Sequence, residues 1–304
     1  MLCEMMSKKL HPNELDLDPA LVARLVAAQF PQWAHLPLRA ASSLGTVHVL
    51  YHLGSERVVR LPRVGVSLEE FDKEHFWLPR LAPLLPVAIP TPLGRGQPTL
   101  EYPFTWSVYS WLDGDNPEPD ALSDPIGLAR DLAAFISALQ RLDPVGAPES
   151  QRGRRSLESL DVSARAALEQ SHGLLDVEAA THAWEAALRS PVWDGRAVWV
   201  HADLQPGNLL VKEGRLSGVI DFGSLGTGDP ASDLNVAWSV LPLEARRVLR
   251  QALDVDDATW RRARGLALVI ALQVLPYYQH THPTFAALAR HTLSEILAEE
   301  GRDG

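Results

Sequence analysis

One strand-loop-strand stretch, VWVHADLQPGNLLVKEGRLSGVIDFGSLGTGDPASDL, interrupts a second half of the chain that otherwise repeats apolar residues at helical spacing. It limits the fold more than any other feature, because it must deliver a row of polar residues from the ends of short apolar strands. His201, Asp203 and Asn208 fall on the loop after the first strand, and the second apolar run ends at Asp221, Phe222 and Gly223. Two carboxylates and one amide, carried by two strand ends that can lie side by side, form an oxygen set suited to hard Mg²⁺. Phosphoryl transfer needs such a set: its transition state is loose and highly charged, so catalysis is mostly metal and cation placement plus one carboxylate that orients the attacking hydroxyl. The alternative, in which Asp203 and Asp221 only cap turns and Asn208 supports a hairpin, involves no chemistry.

The rest of the chain gives this stretch its setting. With 304 residues, 46% of them apolar and 9 of them Trp, the sequence can bury more than one core. Before residue 112, Asp18 and Pro19 start a helix through Phe30, and β-branched runs at Leu36 to Ala41, Thr46 to Leu53 and Arg57 to Leu61 read as strands, the last two joined by a hairpin at Gly54-Ser55. Ser67 caps a helix to about Leu78, with Glu70 completing a capping box and Pro79 stopping or kinking it. The proline-rich run from Pro86 to Phe104 is no helix, and Thr105 to Leu112 reads as a closing strand. Helical patterns follow at 125–142, 156–188, 230–253 and 257–299. The outline is α+β: a small β-rich lobe over 1–111, a one-strand connection near 109–114, and a mainly helical lobe over 112–304.

Charge and cysteine content exclude several classes. Residues 1–111 are balanced with ten acids and ten bases, whereas 112–304 hold 28 acids and 18 bases, so nucleic acid is not the partner. Cys3 is the only cysteine, and the opening MLCEMMSKKLHP has no apolar core of signal length. No apolar stretch is long enough for a bilayer. The sequence is read as cytoplasmic, without a membrane partner.

The loop HADLQPGN, the run VIDFG and the segment GDPASDLNVAW together resemble the aminoglycoside phosphotransferases and related small-molecule kinases. The likeness extends to VVRLPR, KEHFWLPRLAP, YPFTWSVYSWLDG and LPYY, about residues 36 to 290. It implies a two-lobed protein-kinase-like fold with a nucleotide-binding first lobe and a catalytic, substrate-binding second one. The cofactors implied are ATP or GTP and Mg²⁺, and the partner is a small hydroxylated acceptor. By resemblance Asp203 is the catalytic aspartate, Asn208 and Asp221 are the metal ligands, and His201 and Asp233 support the loop. The acceptor stays open between an aminoglycoside or macrolide and a metabolite of the choline, sugar or amino-alcohol type. A protein kinase is disfavoured because Asp221 is followed too closely by GDPASDL for a long activation loop. A pseudokinase is the non-catalytic alternative.

This chain departs from the family pattern in three places. Arg60 stands where such kinases carry a strand Lys, and none of the four Lys residues (Lys8, Lys9, Lys73, Lys212) takes that place. Arg60 is expected to grip phosphate through its fork, with Glu74 as partner and Glu70 as fallback, and its replacement is expected to change stability little. The phosphate-covering turn ASSLGTVH has one glycine, Gly45, so Ser42, Ser43 and Thr46 are left to supply donors. Ala202 and Gln205 replace the usual Gly and second His. The connection YSWLDG resembles a hinge, with Tyr109, Trp111 and Leu112 holding the nucleobase through main-chain groups. For the acceptor, Tyr277, Tyr278, His280 and His282 form an aromatic wall suited to a partly apolar alcohol, whereas Asp113, Asp115, Glu118 and Asp120 favour a cation.

Overall fold

Alternation along three strands organises the first unit. β1 (Leu38–Ala40), β2 (His48–Leu53), β3 (Arg57–Pro62), β4 (Pro92–Gly96) and β5 (Trp106–Ser110) form one antiparallel sheet in the order β1-β2-β3-β5-β4. Tyr51, Leu53, Val59, Leu61, Trp106 and Val108 bury on one face against Leu21, Val22, Leu25 and Val26 of α1 (Pro19–Gln29). Because neighbouring side chains point to opposite faces, Arg60, Ser107 and Tyr109 are sent to the other side. There they meet α2 (Leu68–Leu81).

The computed structural model describes Leu15 and residues 17–41, 47–65, 67–196 and 198–303. The chain divides into one unit of Met1–Pro83 with Ala88–Asp113 and another of Leu84–Val87 with Gly114–Gly304. Three details of the first unit correct the sequence reading. Pro79 does not stop α2, which runs on to Leu81; lying one turn from the end, it costs the helix a single hydrogen bond. The Ser67 cap accepts from the Glu69 N–H at 3.2 Å rather than from Glu70. β4 lies in the proline-rich run, where an edge position spares it a partner on one side. Gly96 there passes against the fully buried Trp106 ring, which a Cβ would enter at 1.9 Å.

The second unit carries α3 (Pro125–Gln140), α4 (Leu157–Gln170), α5 (Val177–Leu188), the single-turn α6 (Val236–Ser239), α7 (Leu243–Ala252), α8 (Asp257–Tyr278) and α9 (Pro283–Asp303). α8 packs against α4, α5 and α9, and α3 lies on α7 and the strands. Three of the long helical patterns are broken. The run over 156–188 parts at Gly173, whose φ of 77° is left-handed, and at Asp176, which caps α5 by accepting from the Ala179 N–H. Residues 230–235 are a 3-10 turn, and residues 279–282 separate α8 from α9. No helix among the described residues is long and apolar enough to cross a membrane.

Two small ribbons interrupt these helices. β6 (Val198–Val200) pairs with β9 (Gly226–Gly228), and β7 (Leu209–Lys212) pairs with β8 (Arg215–Val219), all antiparallel. The two apolar strands whose ends the sequence suggests can lie side by side, β6 and β8, belong to different ribbons. Their ends are joined instead by the His201 ring, which meets the Ile220 carbonyl at 3.1 Å.

Candidate active site

In the first unit the functional candidates gather around one buried carboxylate. Glu74 is only 5% exposed, and its Oε2 accepts from the Arg60 guanidinium at 2.7 Å and from the Tyr109 hydroxyl at 2.8 Å. Glu70 is not the partner. Burial raises the Tyr109 phenol, so the hydroxyl keeps its proton and donates. The resemblance assigned Tyr109 a main-chain role; its side chain instead ties the sheet to α2. His75, one residue on, meets the Ser107 Oγ at 2.7 Å and is lowered to about 4 by burial and then by Arg95, so it is neutral.

At the end of β5 the Ser110 N–H donates to Thr91 at 2.9 Å and the Trp111 N–H to Glu56 at 2.8 Å. Those two amides are therefore already used, and Leu112 follows them. The Trp111 indole N–H donates to the exposed Asp113 at 3.0 Å, and its ring lies 4.0 Å from the His52 ring. Ser42, Ser43, Gly45 and Thr46 lie outside the described residues.

In the second unit the loop after β6 is built around two buried side chains. Asp233 is fully buried, and its oxygens accept from the main-chain N–H groups of His201 at 3.0 Å and Ala202 at 2.6 Å. Burial raises its carboxyl to about 7, against those two donors, which favour the ionised form. The His201 ring is also fully buried and is lowered to about 4, chiefly by burial, so it is neutral. Its Nδ1 accepts from the Asp203 N–H at 3.2 Å, which assigns the ring proton to Nε2 and lets Nε2 donate to Ile220. His201 is thus occupied on both nitrogens and is no general base.

These contacts set Asp203, Asn208 and Asp221. The Asn208 Nδ2 donates to the Asp203 carbonyl at 2.8 Å and to its carboxylate at 3.3 Å. The Ile220 N–H donates to the Asn208 carbonyl at 2.9 Å, so the residue before Asp221 is tied to the loop. Ala202 and Asp221 have φ of 62° and 63°, a left-handed backbone that an L-residue adopts only when its surroundings impose it. The Asp203 carboxylate is about one-fifth exposed; burial pushes it up to about 6 while Arg152 pulls it down.

Two residues absent from the sequence reading act on this loop. The Arg152 guanidinium lies 2.5 Å from the Asp203 Oδ1, reaching back 51 residues. The Asn116 Nδ2 donates to the carbonyls of Pro206 at 3.3 Å, Gly207 at 3.1 Å and Leu209 at 2.8 Å. Next to it Asp115 exchanges two main-chain hydrogen bonds with Val211. No sequence signal marked either residue, beyond the cluster of arginines in QRGRR for Arg152.

Tyr277 and His280 are exposed at the end of α8, and Tyr278 packs on Tyr277, His282 and Phe285.

Among the described residues no group of three or more His, Cys, Asp or Glu could hold a metal by itself. The donor set present is the Asn208 amide, whose N–H group is used on Asp203 so that the carbonyl oxygen is the atom left for a cation, together with the Asp221 carboxylate. Two oxygen donors fit Mg²⁺ that keeps waters and binds substrate phosphate, not a caged structural metal.

The fold is shared with solved structures. The GDP and kanamycin complex of APH(2″)-IIia is similar at 21% identity and a TM-score of 0.72, over 92% of this chain and 99% of that one. Wild-type aminoglycoside 2′-phosphotransferase-IIIa with GDP matches at 20% and 0.72, over 93% and 100%. Macrolide 2′-phosphotransferase MphH from Brachybacterium faecium matches at 24% and 0.58, over 90% and 97%. These likenesses show the protein-kinase-like α+β fold. A family model described as phosphotransferase enzyme family matches residues 36–266, about three-quarters of the sequence, and with it this chain belongs to that family.

Proposed function

We propose that the protein transfers the γ-phosphoryl group of ATP or GTP to a hydroxyl group of a small molecule. The observation that carries this reading is the contact of Asn208 with Asp203, with Asp221 tied to the same loop through Ile220. Asp203 accepts the hydrogen bond of the acceptor hydroxyl and orients its oxygen toward phosphorus. The Asn208 side-chain Oδ1 and the Asp221 carboxylate would hold Mg²⁺, which when bound neutralises charge on the phosphate oxygens. Asp233 and His201 keep the loop in place. Arg60, held by Glu74, grips nucleotide phosphate with its fork, and the main chain from Leu112 on meets the nucleobase. The similar structures carry GDP in two cases and kanamycin in one, which supports nucleotide and small-molecule binding for this chain. A cytoplasmic location, where nucleoside triphosphate and Mg²⁺ are supplied, goes with the same reading.

Calorimetric titration of ATP and GTP tests it. Either nucleotide binds more tightly with Mg²⁺ than with EDTA, and Asp221→Ala removes most of that difference. Asp203→Asn keeps nucleotide affinity and lowers turnover of a competent acceptor by roughly 10² or more, the scale of a lost base. Equal affinity with and without metal, or full turnover by Asp203→Asn, refutes the assignment.

A further inference from the structure

Arg152 sits where the acceptor must arrive. Its guanidinium lies 2.5 Å from the Asp203 Oδ1, the carboxylate oxygen that Asn208 does not take. Its backbone is held rigidly. The loop from Pro148 to Gly153 lies along β9, with the Thr227 N–H donating to Pro148 at 2.8 Å, the Ser150 N–H to Thr227 at 3.0 Å and the Asp229 N–H to Gly153 at 2.8 Å. The Ser150 hydroxyl donates to the Ser224 carbonyl at 2.6 Å and its oxygen accepts from the Gly153 N–H at 2.9 Å. The fit is close enough that a Cβ on Gly226 would lie 2.5 Å from the Ser150 nitrogen, and one on Gly228 would lie 2.6 Å from the Gly153 carbonyl oxygen.

The side chain is less confined than the backbone: it is 51% exposed against 21% for Asp203, so the guanidinium reaches solvent and can turn from Asp203 to an incoming anion. Its fork matches a carboxylate or phosphate with two parallel hydrogen bonds. Arg152 stands in a half of the chain that carries ten more acids than bases, and the nearby Arg154 is paired with Glu149 at 3.2 Å. A cation at this point repels a polycationic acceptor and attracts an anionic one.

We propose that Arg152 sets acceptor specificity: in the acceptor complex it moves from Asp203 to a carboxylate or phosphate carried by the acceptor, whose substrate class is an anionic hydroxylated small molecule. This rests on the phosphotransferase reading above and narrows it. In the step served, the acceptor O–H bond breaks and its oxygen bonds to the γ-phosphorus. The bond from that phosphorus to the β,γ-bridging oxygen breaks, the nucleoside diphosphate leaves, and the proton passes to Asp203 and then to water.

The test uses matched acceptors: gluconate and glucose 6-phosphate against glucose and glucosamine, glycerate against glycerol, and kanamycin. Nucleoside diphosphate release gives KM and kcat, and calorimetry gives binding with Mg²⁺ and a non-hydrolysable nucleotide. The wild type prefers an anionic member, and Arg152→Ala raises its KM about 10- to 100-fold, the scale of a lost charge-assisted hydrogen bond. The KM of the neutral counterpart and the nucleotide affinity stay the same, and Arg152→Lys restores part of the preference. The carboxylate and phosphate arms show which anion is taken. Preference for kanamycin or glucosamine overturns the proposal, as does binding of no anionic member. A loss of kcat alone in Arg152→Ala makes it a support of Asp203, and faster turnover of every acceptor makes it an inhibitory plug; either result overturns the proposal. Failure of the wild type to bind nucleotide marks a failure of the kinase reading itself.

Discussion

Replacing Arg60 should destabilise the first unit as well as weaken nucleotide binding. The Arg60 side chain is 18% exposed and that of Glu74 is 6%, so the pair is mostly removed from water. Arg60→Ala leaves the Glu74 carboxylate with the Tyr109 hydroxyl at 2.8 Å and no guanidinium, and an uncompensated buried charge of this kind costs about 3–5 kcal/mol. The expected destabilisation is therefore about 3–5 kcal/mol. Arg60→Ala combined with Glu74→Gln removes the stranded charge and recovers most of the loss. Because the two units need not unfold together, the readout is hydrogen exchange of peptides covering β3 and β5, in urea without nucleotide. A loss below about 1 kcal/mol at pH 7, or equal losses in the single and double variants, would refute the reasoning. The sequence alone gave the opposite expectation, since it showed Arg60 on a strand but not Glu74 buried beneath it.

Two further outcomes follow from the geometry. His75 has a folded value of about 4 against an ordinary 6.5, so below pH 6.5 the unfolded chain binds a proton that the folded one refuses, and stability is lost as pH falls from 6.5 toward 4. With allowance for the partial exposure of the ring, His75→Gln should flatten the decline in stability between pH 7 and pH 5 by about 1 kcal/mol in chemical denaturation; parallel curves count against it. Asn116→Ala removes the donor shared by three loop carbonyls, and is expected to lower turnover by roughly 10-fold while nucleotide affinity holds, because the loop loses its register rather than its ligands. Unchanged turnover would show that Asp233 and His201 suffice.

What was legible in the sequence was contiguous. The loop HADLQPGN and the run VIDFG carry their own signature, and β2, β3 and β5 announce themselves as short β-branched and aromatic runs. What was not legible depends on distance or on edges. Arg152 and Asn116 reach Asp203 and its loop across 51 and 90 or more residues, and nothing local distinguishes them from surface residues. β4 was hidden because PLGRG has the composition of a turn, and only pairing with β5 makes it a strand. The break between α4 and α5 was hidden because Leu174 and Leu175 continue the apolar pattern through a turn set by Gly173. That the His201 ring is what joins β6 to the end of β8 could not be read from spacing, which showed only that the two ends can lie side by side.

The packing of β9 bears on how this protein can vary. Gly226 and Gly228 touch no reacting group, and neither has a left-handed backbone, yet each is closed to any other residue by main-chain atoms of the Pro148 to Gly153 loop. Main chain cannot be trimmed by a compensating substitution, so there is no second-site route around an alanine here. In a mutational scan read by activity alone, these two positions would score with Asp203 and Asp221, although what they protect is the seating of a neighbouring loop. Substitutions in the acceptor-binding residues would be free to drift by comparison. Any history of changing acceptors in this chain would therefore be written in the side chain at 152, on a backbone that the two glycines do not allow to move.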